Sequence, residues 1–209
     1  ILGKRHFGKM DFESAMPMQP NSVFRIGSIT KLFTAEIVQQ LISEGKLNLS
    51  DSLYHFFPEV ATPGFVNITL ENLLRHTAGI IPHLPANLES KLEKEPHSLQ
   101  MLVDYALKAP LAFQPGTSFQ YSNYGYAILG ELCEIVTDSS LNDLLQTRIF
   151  NPATLVHTHP GSEESTHVNG YEYDLLQGYL PADSIHMTYA SGYGNLVSTC
   201  TDLLRFTRY

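Results

Sequence analysis

A serine and a lysine lie three residues apart at the start of the first predicted helix, as Ser28 and Lys31. Residues at this spacing share one face of a helix, so the hydroxyl and the amino group can meet. A serine becomes a good nucleophile when another group takes its proton, and a lysine can do so when burial lowers its pKa. The helix N-terminus also favours an anion beside its backbone N–H groups. The pair is compatible with nucleophilic catalysis, or with a capping serine followed by a solvated lysine.

A tyrosine and an asparagine precede a second predicted helix. Tyr121 and Asn123 flank Ser122, shortly after the turn dipeptide Pro115-Gly116. A phenol on a tight turn beside an ammonium group can shuttle protons, and a carboxamide can both donate to and accept from a substrate amide. The alternative is that Tyr121 packs on the core while Asn123 caps the helix.

The histidines give weaker signals. His76 is predicted to tie a turn together through its ring nitrogens rather than to act as a base for Ser28. His157, His159 and His167 could hold a metal ion, but they lack carboxylate and cysteine partners at ligand spacing. We therefore predict neither a metal nor another cofactor.

Apolar residues at three- and four-residue spacing predict a helix at about residues 28–44, which stops at Gly45. Further helices are predicted over residues 67–75, 98–108, 123–136, 140–150 and 199–209. Extended pieces are predicted over residues 1–10 and 23–26, whereas the weak patterns of residues 82–96 and 154–187 indicate loops. Because strands do not alternate with helices, a doubly wound parallel sheet is excluded.

Composition sets the broad class. The 209 residues are 43% hydrophobic and 16% charged, which is typical of a globular chain and excludes extensive disorder. Thirteen basic against 21 acidic residues give a net charge of −8, which argues against nucleic acid or an anionic membrane as partner. No apolar run reaches the length of a membrane span, and no signal peptide is expected in this chain. Cys133 and Cys200 are predicted to be two buried free thiols, with a single bridge as the alternative.

Together the motifs resemble the serine β-lactamase-related family, which contains class C β-lactamases, D-alanyl-D-alanine carboxypeptidases and related esterases. The similar stretches follow the order of that family and extend over about residues 7–207: they are residues 24–35, 44–49, 74–80, 115–123 and 194–199. The resemblance implies an α+β fold, with an antiparallel sheet flanked by helices and joined to an all-helical region. It implies one domain over residues 1–209, with the α/β part at about 1–45 and 185–209 and the helical region at about 46–184.

The resemblance also implies roles for the four residues. Ser28 would be the acylated nucleophile, with Lys31 as its proton acceptor or as the charge that tunes it. Tyr121 would be the partner proton shuttle, and Asn123 would hold the amide side of the substrate. One oxyanion donor would be the backbone N–H of Ser28.

Two departures from the family bear on function. The third family motif, Lys or His followed by Ser or Thr and then Gly, does not occur before Tyr209, so both the active site and the chain are expected to be incomplete at the C-terminus. Thr30 before Lys31, together with Tyr121-Ser122-Asn123, favours the carboxypeptidase and esterase branches.

We therefore expect a serine hydrolase that forms an acyl-enzyme on Ser28 and hydrolyses an amide or ester, such as a D-alanyl peptide, a β-lactam or a small ester. Without the C-terminal part that carries the third motif, this chain by itself could be inactive. The alternative is a non-catalytic relative that binds ligands or acts as a scaffold. The expected partner is a small-molecule or peptidoglycan-like substrate, and the resemblance suggests a periplasmic or extracellular location. The sequence leaves the oligomeric state open.

Overall fold

The computed structural model describes residues 3, 5–60, 62–162, 167–183 and 185–209. Within these ranges the chain forms seven α-helices: α1, Thr30–Ser43; α2, Leu70–Leu74; α3, Ala86–Leu92; α4, Leu99–Lys108; α5, Asn123–Thr137; α6, Leu141–Leu145; and α7, Cys200–Phe206. The same residues form five short strands: β1, Phe24–Arg25; β2, His159–Pro160; β3, Tyr171–Asp174; β4, Gly178–Pro181; and β5, Leu196–Ser198. A 3-10 turn at Gly27–Ile29 leads into α1, and a π-helical turn at Gln146–Phe150 continues α6.

All pairs among these strands are antiparallel. The strand β5 lies between β1 and β2 in a three-stranded sheet, and β3 pairs with β4 in a separate hairpin. Phe24 lies opposite Ser198 and Arg25 opposite Val197, so β1 is held against a strand whose three residues are all buried. The predicted α+β class with an antiparallel sheet is confirmed, and this sheet fixes the chain just before Ser28.

The helix α5 forms the centre of the core. Its ten consecutive residues Tyr124–Cys133 are all buried, and a helix that is buried on every side must be covered on every side. The helices α1, α2, α4 and α6 pack around it. From α1, the buried Phe33 stacks on Phe206 of α7 with a ring-centroid distance of 3.9 Å. The two helices that begin near the predicted catalytic residues therefore share one packed core.

Five helices begin with a side chain that accepts a hydrogen bond from the first turn: Thr69 for α2, Ser98 for α4, Ser122 for α5, Ser140 for α6 and Thr199 for α7. These caps satisfy N–H groups that the first turn of a helix leaves unpaired. Beyond α1, Gly45 adopts a φ of +72°, as its position predicts. None of the described helices combines the length and the apolar character needed to cross a lipid bilayer.

Two predicted segments differ from the structure. The predicted strand over residues 1–10 is wrong for the described part of that range, which forms only an isolated bridge between Lys9 and Pro17. Phe7 is 79% exposed there, so this segment has no buried face to pair as a strand; residues 1, 2 and 4 lie outside the described residues. The predicted loop over residues 82–96 contains α3, where Leu88 and Leu92, one turn apart, pack against the core.

The predicted loop over residues 154–187 contains β2, β3 and β4, although residues 163–166 and 184 lie outside the described part. These strands are two to four residues long, too short for the sequence to show a clear alternation of apolar and polar positions. Although β2 lies within the range predicted as the helical region, it pairs with β5 in the main sheet. The proposed domain boundaries themselves stay a prediction.

The cysteines differ in burial. Cys133 lies buried in α5, whereas Cys200 is exposed at the first residue of α7, and both are free thiols. The prediction of two buried thiols is therefore wrong for Cys200, because the first turn of α7 buries Thr199 and Asp202 and leaves Cys200 on its exposed side. The alternative of a single bridge is also wrong.

Candidate active site

Ser28 lies on the 3-10 turn between β1 and α1, with its side chain exposed. Gly27 opens this turn with a φ of +50°, a conformation that glycine adopts without a steric penalty. No side chain caps either the turn or α1, so the capping alternative for Ser28 is wrong. The serine hydroxyl is instead placed at the first turn of a buried helix, with its oxygen directed at other side chains.

Lys31 is buried, with 5% of its surface exposed, so the alternative of a solvated lysine is also wrong. Its ammonium group donates to Ser28 Oγ at 3.2 Å, to Asn123 Oδ1 at 2.8 Å and to the backbone oxygen of Tyr193 at 3.1 Å. Burial lowers the pKa of Lys31 from its ordinary value, and the neighbouring Tyr121 opposes part of that shift. The lysine is held in one position, and burial makes the loss of its proton easier than in water.

Tyr121 reaches the same serine from the loop before α5. Its hydroxyl donates to Ser28 Oγ at 2.7 Å, across 93 positions of sequence. The side chain is 44% exposed, so the alternative of a tyrosine packed in the core is wrong. Lys31 Nζ lies 4.7 Å from the centre of the Tyr121 ring, which adds a cation–π contact. One oxygen atom of Ser28 therefore receives hydrogen bonds from both an amine and a phenol.

Asn123 is the first residue of α5, and its Oδ1 accepts from Lys31 Nζ at 2.8 Å. The cap of α5 is Ser122, whose Oγ accepts from the N–H of Gly125 at 3.2 Å, so the capping alternative for Asn123 is wrong. The structure thus brings together all four predicted residues, two from the start of α1 and two from the start of α5. Asn123 joins the two helix starts through its hydrogen bond with the lysine.

His76 lies after α2 and contacts this cluster from the side. Its Nδ1 accepts from the N–H of Ser122 at 3.2 Å, so the prediction that it ties a turn together is confirmed. Burial lowers the pKa of His76, and the positive charge of Lys31 lowers it further. The histidine therefore favours its neutral form, the form in which Nδ1 can accept.

The sequence analysis missed Tyr193 as a partner of the lysine. Its backbone oxygen accepts from Lys31, and its ring centre lies 5.3 Å from Lys31 Nζ. The preceding Gly192 offers its backbone oxygen to the Thr34 hydroxyl at 2.7 Å, which ties this segment to α1. The Gly-Tyr-Gly run at 192–194, just before a buried strand, is the signal that could have indicated a close approach of backbone to the site.

The histidines considered as metal ligands do not form such a site. Among the described residues, no group of three or more His, Cys, Asp or Glu side chains is arranged to hold a metal ion. His159 Nδ1 instead lies 2.9 Å from the Pro160 oxygen, and His167 Nε2 accepts from Arg25 Nε at 3.0 Å.

Comparison with known proteins places this geometry in context. The sequence model of the Beta-lactamase family matches residues 1–209. A Beta-lactamase of Escherichia coli (strain K12) is 30% identical over 206 residues, which cover 97% of this chain and 51% of that protein. Penicillin-binding protein 4* of Bacillus subtilis (strain 168) is 30% identical over 224 residues, which cover 99% of this chain and 49% of that protein.

Solved structures agree with the sequence comparison. The D-amino acid amidase from Ochrobactrum anthropi SV3, in a complex with L-phenylalanine amide, superposes with a TM-score of 0.83 and 26% identity. The superposition covers 96% of this chain and 59% of the amidase. The chain thus spans about half the length of the curated relatives it matches. Because the family model matches its whole length and the fold is shared, the chain belongs to the beta-lactamase family.

Proposed function

We propose that the protein carrying this chain is a serine hydrolase that forms an acyl-enzyme on Ser28 and hydrolyses an amide or ester. One observation carries the proposal: Ser28 Oγ lies within hydrogen-bond distance of both Tyr121 Oη, at 2.7 Å, and Lys31 Nζ, at 3.2 Å. A nucleophile in contact with a base that a further group orients is the arrangement that activates a serine.

Acylation begins when Ser28 Oγ attacks the substrate carbonyl carbon. Its proton passes to the Lys31–Tyr121 pair, and the carbonyl π electrons move onto the oxygen. The lowered pKa of Lys31 supports this step, since a neutral amine can accept a proton whereas an ammonium cannot. The backbone N–H of Ser28, in the first turn of the helical segment, is the proposed donor to the developing oxyanion.

Collapse of the tetrahedral intermediate breaks the bond to the leaving group. Tyr121, half exposed at the mouth of the site, is the group that returns the proton to the leaving amine or alcohol. Water then attacks the acyl ester with the same pair as base, which releases the acid and restores the Ser28 hydroxyl. The Oδ1 of Asn123 fixes Lys31 in this scheme, and its NH2 group is available to donate to a substrate carbonyl.

The names of the relatives support an acyl compound as substrate. They refer to a β-lactam, to penicillin and to a D-amino acid amide, each of which contains an amide bond. We propose the same class for this protein, with a D-alanyl peptide, a β-lactam or a small ester as candidate substrates. The proposed steps call on no metal: Ser28 is the nucleophile, the Lys31–Tyr121 pair is the base, and the Ser28 N–H is one oxyanion donor.

The test is turnover of a chromogenic cephalosporin, a nitrophenyl ester and a D-alanyl nitroanilide by the complete protein that contains these residues. We expect at least one substrate to be hydrolysed, and we expect Ser28→Ala to abolish that hydrolysis. Ser50→Ala, at a serine of the loop after α1, is the control and should leave the rate unchanged. Equal turnover by Ser28→Ala would overturn the proposal, and binding without turnover or adduct would favour a non-catalytic relative.

A further inference from the structure

We propose that His76 is a positioning residue for Tyr121: it fixes both the backbone and the ring of the tyrosine so that the phenol stays on Ser28. This inference rests on the proposed function of Ser28 and Tyr121. It concerns a residue that contacts neither the nucleophile nor the leaving group and acts through the tyrosine alone.

The backbone of His76 is the first observation. The residue has a φ of +57°, in the left-handed region that histidine seldom adopts. Such a conformation persists only when its surroundings hold it, and it is concentrated at functional sites. It turns the chain sharply after α2, so that the backbone oxygen and the side chain of His76 both face the loop that carries Tyr121.

His76 makes hydrogen bonds to both sequence neighbours of Tyr121. Its backbone oxygen accepts from the N–H of Gln120 at 2.9 Å, and its Nδ1 accepts from the N–H of Ser122 at 3.2 Å. One residue therefore holds the peptide units before and after the tyrosine. No regular element is present between the end of α4 and the start of α5, so these two bonds, with that of Ser122 Oγ to the Ile81 oxygen, hold the backbone where Tyr121 leaves the main chain.

The ring of His76 supports the ring of Tyr121 as well. The two ring centres are 4.5 Å apart with an interplanar angle of 35°, and the Tyr126 ring contacts the same imidazole at 5.1 Å. Tyr126 is buried in α5, and its hydroxyl donates to the Leu74 backbone oxygen at 3.2 Å. The half-exposed Tyr121 is thus connected through His76 to a fixed point in the core.

The charge state of His76 suits this role. Nδ1 can accept from Ser122 only while it carries no proton. The groups that face the ring are Tyr121 and Phe119 from the loop, Tyr126 from α5 and the ammonium of Lys31 from α1, and the cation disfavours a second positive charge. Burial of the ring, which lowers the pKa of His76 most, acts in the same direction whether or not Lys31 carries its proton, so the neutral imidazole is the favoured acceptor.

The consequence for catalysis is geometric. A misplacement of about 1 Å can cost about 100-fold in rate when a group must meet a reacting atom. Loss of the His76 contacts should therefore lower the acylation rate constant with little change in the dissociation constant of the noncovalent substrate complex, because the described contacts of His76 run to the loop of Tyr121 and to Tyr126.

Two substitutions separate the contacts. His76→Asn tolerates the left-handed backbone and keeps an acceptor oxygen near the position of Nδ1, but it removes the ring. His76→Phe keeps a ring and removes the acceptor. We expect the acylation rate constant to fall about 10-fold in His76→Asn and about 100-fold in His76→Phe, with the dissociation constant of the noncovalent complex within about threefold of that of the unmodified protein. His55→Asn, at an exposed histidine of another turn, is the control and should change neither.

A double-mutant cycle distinguishes positioning from general structural damage. Once Tyr121→Phe has removed the phenol, His76→Asn should lower acylation no further, since the group that it positions is absent. An additional 10-fold loss in the Tyr121→Phe background would overturn the proposal.

A second measurement needs no activity. With 3-fluorotyrosine at position 121, the unmodified protein should show one narrow fluorine resonance, and His76→Asn should show a broadened or divided one. An unchanged line in His76→Asn would overturn the positioning role. A protein that never acylates but shows the expected broadening would contradict the proposed function while supporting the placement of Tyr121.

Discussion

The Tyr121→Phe substitution separates catalysis from stability because it removes a single oxygen atom. The phenol is 44% exposed, and its hydroxyl donates to the exposed Ser28, with Lys31 as a further polar neighbour. Water replaces such a bond in the folded protein, so the free energy of unfolding should change by at most about 0.5 kcal/mol. The ring contacts with His76 and the lysine remain in the variant.

The effect on acylation should be much larger. A positioned proton-transfer group contributes about 10²- to 10⁴-fold to the rate. At about 1.4 kcal/mol for each factor of ten, the barrier should rise by about 3–5 kcal/mol. The expected rise in the acylation barrier is therefore several times the expected loss in the free energy of unfolding. General destabilisation of the protein would not produce such a difference.

Two assays measure these quantities on the same samples. Rapid-quench mass spectrometry gives the rate constant for formation of the acyl-enzyme, and denaturant unfolding gives the stability. Tyr54→Phe removes a phenol of similar exposure, 47%, from a surface turn and should leave both values unchanged. Acylation of Tyr121→Phe within about threefold of the unmodified protein would refute the role assigned to this hydroxyl.

Three further predictions concern other groups. Because burial lowers the pKa of Lys31, the midpoint of the rise in acylation rate with pH should lie below 10.5; a midpoint at or above 10.5 would contradict a neutral Lys31 as base. Burial, aided by neighbouring carboxylates, raises the pKa of Glu131 to about 7, so its contribution to the free energy of unfolding should fall by about 1–3 kcal/mol as the pH rises from about 4.5 to 7. Urea unfolding of Glu131→Gln should not show this fall in stability with rising pH. If stability depended on pH in the same way in the two proteins, the prediction would be contradicted. Gly79→Ala should lower the free energy of unfolding by at least about 3 kcal/mol, because φ is +77° and the new Cβ would lie 2.3 Å from the Phe113 oxygen. Gly45→Ala, where φ is +72° and the surrounding space is open, should lower it by about 1 kcal/mol. Equal losses of stability for the two variants in thermal unfolding would contradict this prediction.

The parts of this site that the sequence could predict are those fixed by local spacing. Ser28 and Lys31 share one helical face whatever the rest of the chain does, so their contact follows from the helix pattern. The contact of Tyr121 with Ser28 spans 93 positions, and residue types alone favoured a tyrosine packed on the core. The family resemblance instead favoured a tyrosine at the active site. The order of the motifs along the chain carries information about distant contacts that periodicity lacks.

Other features had no signature in residue types. The partner that Tyr193 offers to Lys31 is a backbone oxygen, which every residue possesses. The left-handed backbone of His76 departs from the usual preference of histidine and could not be read from its identity. Strands of two to four residues, such as β2, are too short to show a period, and their pairing with β5 depends on the folded chain.

The location of the acyl group is the most direct test of the catalytic proposal. Trypsin cuts after Arg25 and Lys31, so residues 26–31 leave as one peptide that contains Ser28 and Thr30. After incubation with a slowly released acyl substrate and an acid quench, fragmentation of this peptide should place the added mass on Ser28. Turnover with the added mass on Thr30 or on another peptide, or turnover with no adduct at any quench time, would contradict the account.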